Sequence, residues 1–356
     1  MSGLGRTVNM LIVYYISGHG FGHATRSIEL IRAIGARRDD VRFIVRTDAP
    51  QWLFERAAIP IEVQPFEPDV GVVQIDGLRP DEEGTARRAE SFYRNFDRRV
   101  EHEATLLRQV AADIVLGDVP PIAFAAARRA GLASVAIANF TWDWIYDAYP
   151  AFERIAPDAI SIIRRAYAAA TLALRLPLHG GFEPMAGLIR DIPFIARRAT
   201  RDRRETRRVL GVADDARLVL ATFGGYPVPL PFDDRSRRAP FTIVTVNQHP
   251  PDGLTHQDIV TAADVVVSKP GYGIVSECVA HDTPLLYTSR GHFVEYDVFV
   301  DQMPRVLRCR HISQDDLLGG RWSDAIDALL HQPAPPEQPR TDGAEVAATE
   351  ILKLGH

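Results

Sequence analysis

With 356 residues, 46 % hydrophobic and 24 % charged, the chain has the length for two domains of ordinary globular composition. That balance excludes a disordered tail, a collagen-like fibre and a coiled coil. A formal net charge of −5 gives no electrostatic argument for nucleic acid. The two cysteines, Cys278 and Cys309, lack zinc-ligand spacing and form no disulfide framework, so they read as small buried thiols in a reducing cytosol. Of the 41 basic residues only Lys269 and Lys353 are lysine, which leaves 39 arginines and singles out Lys269 as a lysine retained in an arginine-rich chain. The longest apolar runs fall well short of the roughly 20 residues that a membrane-spanning helix needs. The opening residues, MSGLGRTVN, carry no signal-peptide cleavage pattern. A cytoplasmic protein is expected, with peripheral membrane contact left open and no transmembrane segment; the oligomeric state is not legible.

In chain order, Met10 to Ser17 is an almost unbroken apolar run, as expected of a parallel strand buried on both faces. A Gly/His loop, Gly18 to His23, follows, and then a helix from about Ala24 to Ala36. Val41 to Thr47 reads as a strand, Pro50 to Ala57 as a short helix, and Asp81 to Val110 as a charged helical stretch. Strand, helix and strand recur at Asp113–Gly117, Pro120–Ala130 and Ala133–Ala138, with a late strand at Leu172–Leu176. This alternation predicts a doubly wound α/β sheet. Arg197 to Arg208, with seven arginines, reads as a solvated linker or exposed helix. A second α/β half follows: strands at Leu218–Phe223, Thr242–Val246, Val265–Lys269 and Leu285–Thr288, and a helix from about Gly273 to His281. A proline-rich stretch, Gln332 to Arg340, precedes a last amphipathic helix, Gly343 to Leu354. The expected domains are 1–196, 197–341, and a terminal helix 342–356 packing back on the first.

Three places carry chemistry. The loop between the first strand and its helix holds Gly18, Gly20 and Gly22 with His19 and His23; it is neither a GxGxxG dinucleotide loop nor a phosphate loop ending in GK[ST]. Such loops lie where α/β sheets bind ligands, and an imidazole there suits general base work or simply caps the helix. Asp118 ends another parallel strand, so it either reaches His23 and fixes its tautomer or caps the next helix. The stretch from Ser268 to Glu277 is again strand, glycine loop and helix. Its helix amides suit a pyrophosphate, and Glu277, one turn in, suits a pair of vicinal hydroxyls. Trp142, Trp144, Tyr146 and Tyr149 either stack on a ligand or pack beneath their loop.

The last of these stretches resembles the nucleotide-sugar signature of GT-B glycosyltransferases, including the transferase that adds N-acetylglucosamine to lipid I. Six blocks resemble, in order, the glycosyltransferase-like amino-terminal region of plant L-arabinokinases. They are SGHGFGHATRSIELIRAI, VVQIDGL, NFTWDWIY, IPFIARR, FGGYP and SKPGYGIVSECVAHDTPLLY. The resemblance implies a GT-B fold, two Rossmann-like domains facing an interdomain cleft. It implies His23 as catalytic base and Asp118 as its partner. Donor binding falls to Gly224, Gly225, Lys269, Gly271, Tyr272, Gly273, Ser276, Glu277, Arg290 and Glu295, with His19, Gly22, Trp142 and Asp143 on the acceptor side. The implied activity is inverting, metal-independent transfer of a sugar from a nucleoside-diphosphate sugar, UDP-linked, to an unknown acceptor. That sugar nucleotide is a co-substrate, and no cofactor or metal is expected. A sugar-nucleotide epimerase and a non-catalytic nucleotide-sugar binding module are the alternatives. The chain has no sugar-kinase phosphate loop, so kinase activity is not implied. One departure is that Tyr226 to Pro240, short and rich in Pro and Arg, leaves little room for the helix that usually follows the FGGYP turn.

Overall fold

The structure, a computed structural model, describes residues 10–354 except 56, 58, 225–227, 233–240 and 247–249. The chain divides into two compact units. One comprises Met1–Val73, Asp81–Ile195 and Asp342–His356, and the other Gln74–Pro80 and Ala196–Thr341.

The first unit is built on seven strands: β1 (Met10–Ile16), β2 (Val41–Thr47), β3 (Ile61–Pro65), β6 (Ile114–Asp118), β7 (Ala133–Ala138), β8 (Leu172–Arg175) and β9 (Ile189–Asp191). They lie in the order β3-β2-β1-β6-β7-β8-β9, all parallel. The central strand β1 is apolar because both faces are covered, and Ile12, Val13, Tyr14 and Tyr15 are fully buried. Ile16 pairs with Asp118, and the Ser17 amide donates to the Asp118 carbonyl at 2.9 Å. The first glycine loop and the end of β6 therefore share one sheet edge.

The first helix runs Phe21–Gly35, three residues earlier than its apolar pattern indicates. Its N-cap is Gly20, whose φ of 74° favours glycine, so no Ser, Thr or Asp marks the start. The charged stretch after residue 81 is two helices, Glu82–Arg94 and Phe96–Gln109, broken at Asn95. Among the described residues of 50–57, where a helix is expected, there is one short turn, Gln51–Leu53.

The final helix, Gly343–Leu352, packs on the helix Phe21–Gly35 through buried Ala344, Ala347, Ala348 and Ile351. The Gly343 amide donates to the Phe194 carbonyl at 2.9 Å. A Cβ at residue 343 would overlap the Pro193 carbonyl. Gly343→Ala is therefore expected to cost about 1–3 kcal/mol by overpacking, seen as a lower melting temperature; an unchanged one would mean that this helix is not seated.

The second unit holds β10 (Leu218–Ala221), β11 (Thr242–Thr245), β12 (Val265–Ser268), β13 (Leu285–Tyr287) and β14 (Cys309–His311), ordered β11-β10-β12-β13-β14 and parallel. Its core gathers Val219, Val267, Leu286 and Trp322. A hairpin, β4 (Gln74–Asp76) with β5 (Arg79–Pro80), also belongs here, which corrects the boundary read from sequence: Leu78 is buried in this core.

Of the two readings of the arginine-rich segment, the helix holds and the solvated linker does not. Residues Arg203–Leu210 form a helix capped by Asp202, and Arg207, 1 % exposed, donates to the carbonyls of Ala262 and Ala216 and to Asp264. Arginine is used here as a buried fork that satisfies several acceptors at once. Of the segment Tyr226–Pro240, only 228–232 are described, with Val228, Leu230 and Phe232 packed on the core. No described helix is long and apolar enough to cross a membrane.

Candidate functional site

In the first unit, His23 sits in the first turn of its helix, so Arg26 and Ser27 follow it at i+3 and i+4 on the same face. All three reach the buried Asp118. His23 Nδ1 lies 2.8 Å from Oδ1, Arg26 Nε and Nη2 donate at 2.6 and 2.5 Å, and Ser27 Oγ donates at 3.1 Å. Arg26 Nη1 also donates to Asn139 at 2.8 Å. Burial pushes the Asp118 carboxyl up, but the Arg26 guanidinium and then His23 outweigh it and hold the group below its usual range. Arg26 Nη2 lies 3.1 Å from His23 Nδ1. A guanidinium only donates, and the shorter contact is to a carboxylate, so Nδ1 carries its proton toward Asp118. His23 Nε2 is then the basic nitrogen. Sequence reasoning paired His23 with Asp118 but missed Arg26, Ser27 and Asn139; the helical spacing from His23 was the signal for the first two.

The same edge holds a second carboxyl group that no motif marks. Asp69 accepts from Ser17 Oγ at 2.9 Å and from Trp142 Nε1 at 2.8 Å. Burial pushes it up to about 7 against those hydrogen bonds. His19 is half-buried, with its ring 5.8 Å from that of Trp142. Gly22 lies in the helix's first turn, its carbonyl accepting from Thr25.

Two of the residues expected on the acceptor side are buried and already partnered. Trp142 is fully buried and spends its N–H on Asp69, while Asp143, 1 % exposed, pairs with Arg164 at 3.2 Å. Tyr146 and Tyr149 are buried too, so this block packs beneath its loop, and Trp144 is the aromatic left partly at the surface.

In the second unit, β12 leads into the helix Tyr272–His281, whose N-cap Gly271 makes no side-chain capping bond. The head of this helix carries the positive end of the helix dipole. A Cβ at Gly271 would meet nothing within 4 Å. Lys269 Nζ donates to the Gly77 carbonyl at 2.6 Å, and burial with the nearby Arg290 charge pushes the ammonium down to about 8. Arg290 donates to Glu295 at 3.1 Å and to the Pro270 carbonyl at 3.3 Å, and lies 3.9 Å over the Phe293 ring. Two cations thus stand by the helix head, and Glu295 orients one of them.

Gly224 ends the segment after β10 with a φ of 74°, which favours glycine; Gly225 lies outside the described residues. Tyr272 is buried and Gly273 half-buried. Ser276, expected to bind the donor, is 2 % exposed and its hydroxyl donates to the Gly273 carbonyl of its own helix at 2.9 Å.

Glu277 also differs from an open acceptor of hydroxyls. It is buried, with Oε1 taken by Arg197 Nε and Nη2 and Oε2 by His256 Nδ1 at 2.8 Å. Burial raises its pKa, but Arg197 and His256 prevail and bring it to about 2. Among the described residues no group of three or more His, Cys, Asp or Glu side chains is placed to hold a metal ion.

Two parallel sheets with these strand-end loops define the architecture, and the solved structures share it. The chain matches the glycosyltransferase of kitacinnamycin with a TM-score of 0.61 and 16 % identity, over 98 % of this chain and 99 % of that one. The chain has the GT-B glycosyltransferase fold. A second GT-B match is the UDP-GlcNAc 2-epimerase from Neisseria meningitidis bound to UDP-GlcNAc, with a TM-score of 0.57 and 10 % identity over 97 % and 100 % of the two chains. In sequence, the chain is 31 % identical to the L-arabinokinase of Arabidopsis thaliana over 96 % of its own length. It spans about a third (34 %) of that relative. No family model matches.

Proposed function

We propose that the chain is an inverting, metal-independent glycosyltransferase that uses a UDP-sugar and an acceptor hydroxyl. The observation that carries this reading is the His23–Asp118 pair, 2.8 Å apart, with Nδ1 committed to the carboxylate and Nε2 left to take a proton. In the proposed reaction His23 Nε2 removes the acceptor proton as the hydroxyl oxygen bonds the anomeric carbon. The bond from that carbon to the diphosphate oxygen breaks, and the diphosphate leaves with the electron pair. Direct displacement by one activated nucleophile inverts the anomeric centre. The departing diphosphate gains negative charge, which the head of the helix Tyr272–His281, Lys269 and Arg290 are suited to stabilise.

The test is release of UDP from UDP-sugars, with and without candidate acceptors, after a thermal-shift screen of nucleotides has found which one binds. Release that requires an acceptor supports transfer. Conversion of the sugar nucleotide alone supports the epimerase reading, which the Neisseria epimerase match keeps in view. Binding without either supports a nucleotide-sugar binding module.

Lys269→Ala and Arg290→Ala are each expected to weaken UDP by about 1.5–3 kcal/mol, the range for hydrogen bonds to charged groups. Calorimetry checks this, and an unchanged affinity in both variants would move the diphosphate away from this helix head.

A further inference from the structure

The segment Asp69–Val72 lies across the first glycine loop. Asp69 holds it at one end, through Ser17, just before the loop, and Trp142. Tyr146 Oη donates to the Gly71 carbonyl at 2.8 Å, and the Val72 amide donates to His19 Nδ1 at 3.3 Å. Gly71 has a φ of 64°, and a Cβ there would come within 2.8 Å of the His19 side chain, so the backbone passes too close for any other residue.

An imidazole nitrogen that accepts from an amide bears no proton. Neutral His19 therefore carries its proton on Nε2. His23 is the opposite, with its proton on Nδ1 toward Asp118. One loop thus presents two imidazoles in opposite tautomers, each set by a backbone or carboxylate partner.

We propose that Asp69 is a positioning residue of this site: as a carboxylate it clamps Ser17 and Trp142, holds Asp69–Val72 against the loop, and so fixes His19 as the Nε2–H tautomer in the loop that also carries His23. The proposal rests on the reading of this loop as the acceptor-handling site, but its test does not need turnover. The titratable groups that face Asp69 are Asp48, Glu67, Tyr93, Tyr146 and Tyr167, with Arg88 paired to Glu67. Asp69 with its carboxyl near 7 is ionised above that pH and protonated below it. Both of its partners donate to it, so protonation of either oxygen removes an acceptor and loosens the clamp.

The experiment is side-chain 1H–15N NMR of the whole labelled chain, with Trp142 assigned by Trp142→Phe and His19 by His19→Gln. The Trp142 indole resonance is expected to shift once as pH rises through about 7, and to lose that shift in Asp69→Asn. The His19 ring is expected to show protonated Nε2 above the midpoint and a mixture of tautomers in Asp69→Asn. Ser17→Ala removes one donor to the carboxylate, so it should raise the midpoint; it decides the matter if Asp69→Asn does not fold. A pH-independent Trp142 indole in the wild type, a His19 protonated on Nδ1, or a midpoint unmoved in Ser17→Ala overturns the proposal. His23 is read in the same spectra. If it carried its proton on Nε2, the base assignment would fall while the Asp69 clamp stood.

Discussion

His23→Ala is expected to lower kcat by about 10²–10⁴-fold, the usual contribution of a positioned general base, and to leave UDP affinity nearly unchanged. The two effects separate because His23 belongs to the first unit, whereas the amides, Lys269 and Arg290 proposed to hold the diphosphate belong to the second. The loss should fall on kcat, since the proton is taken in the transition state and not in donor binding. His19→Ala is expected to cost less, because an imidazole with its proton on Nε2 offers no basic nitrogen there. Asp118→Asn removes the charge that His23, Arg26 and Ser27 share, so it should lower stability as well as rate. The measurement is steady-state transfer with the donor and acceptor found by the nucleotide screen. Wild-type turnover in His23→Ala, with His19→Ala inactive, would exchange the roles of the two histidines. Full activity in both would remove the loop from the chemistry.

Much of this was legible in the sequence because burial leaves a one-dimensional trace. The central strands show as continuous apolar runs, and the glycine loops punctuate them at the strand ends. His23 and Asp118 could be paired because each ends or follows a parallel strand of one sheet. What stayed hidden has no local signature. The start of the first helix is masked by a glycine N-cap. Arg26 and Ser27 read as the polar side of a helix until Asp118 supplies a buried charge for them. Asp69 comes from an irregular segment with no periodicity, and its partners Ser17 and Trp142 lie 52 and 73 residues away. The tryptophan block shows that aromatic residues past a strand end carry no label of facing in or out; Trp142 is in because its N–H has a buried carboxyl to meet. Arg207 reads as linker charge by composition and is buried because the carbonyls ending one helix lack partners of their own.

Glu277→Ala is expected to destabilise the second unit by about 3–5 kcal/mol, the range for removing one partner of a buried ion pair. The carboxylate holds two elements at once: Arg197, at the beginning of the second unit's main stretch, and His256, in the first turn of the helix His256–Ala262. His256 Nε2 in turn lies 3.3 Å from Thr222 Oγ1, just past β10. Its loss would leave a guanidinium with 24 % side-chain exposure and no carboxylate opposite it. The pH dependence follows from a folded pKa of about 2 against an ordinary 4.5. A depressed carboxyl pKa stabilises the fold fully above the unfolded value, and the contribution fades as pH falls from about 4.5 through 2. The shift corresponds to stabilisation on the order of 3 kcal/mol at neutral pH. Wild type and Glu277→Gln should therefore differ most in melting temperature near neutrality and converge in acid. Equal melting temperatures at pH 7 would show that this carboxylate holds nothing together. UDP calorimetry on Glu277→Gln, run well below its melting temperature, then asks a separate question. A loss of affinity means that the nucleotide draws on Glu277 or on the arginine and histidine it holds. An unchanged affinity leaves Glu277 as a brace for the sheet edge, with the diphosphate contacts carried by the helix head, Lys269 and Arg290.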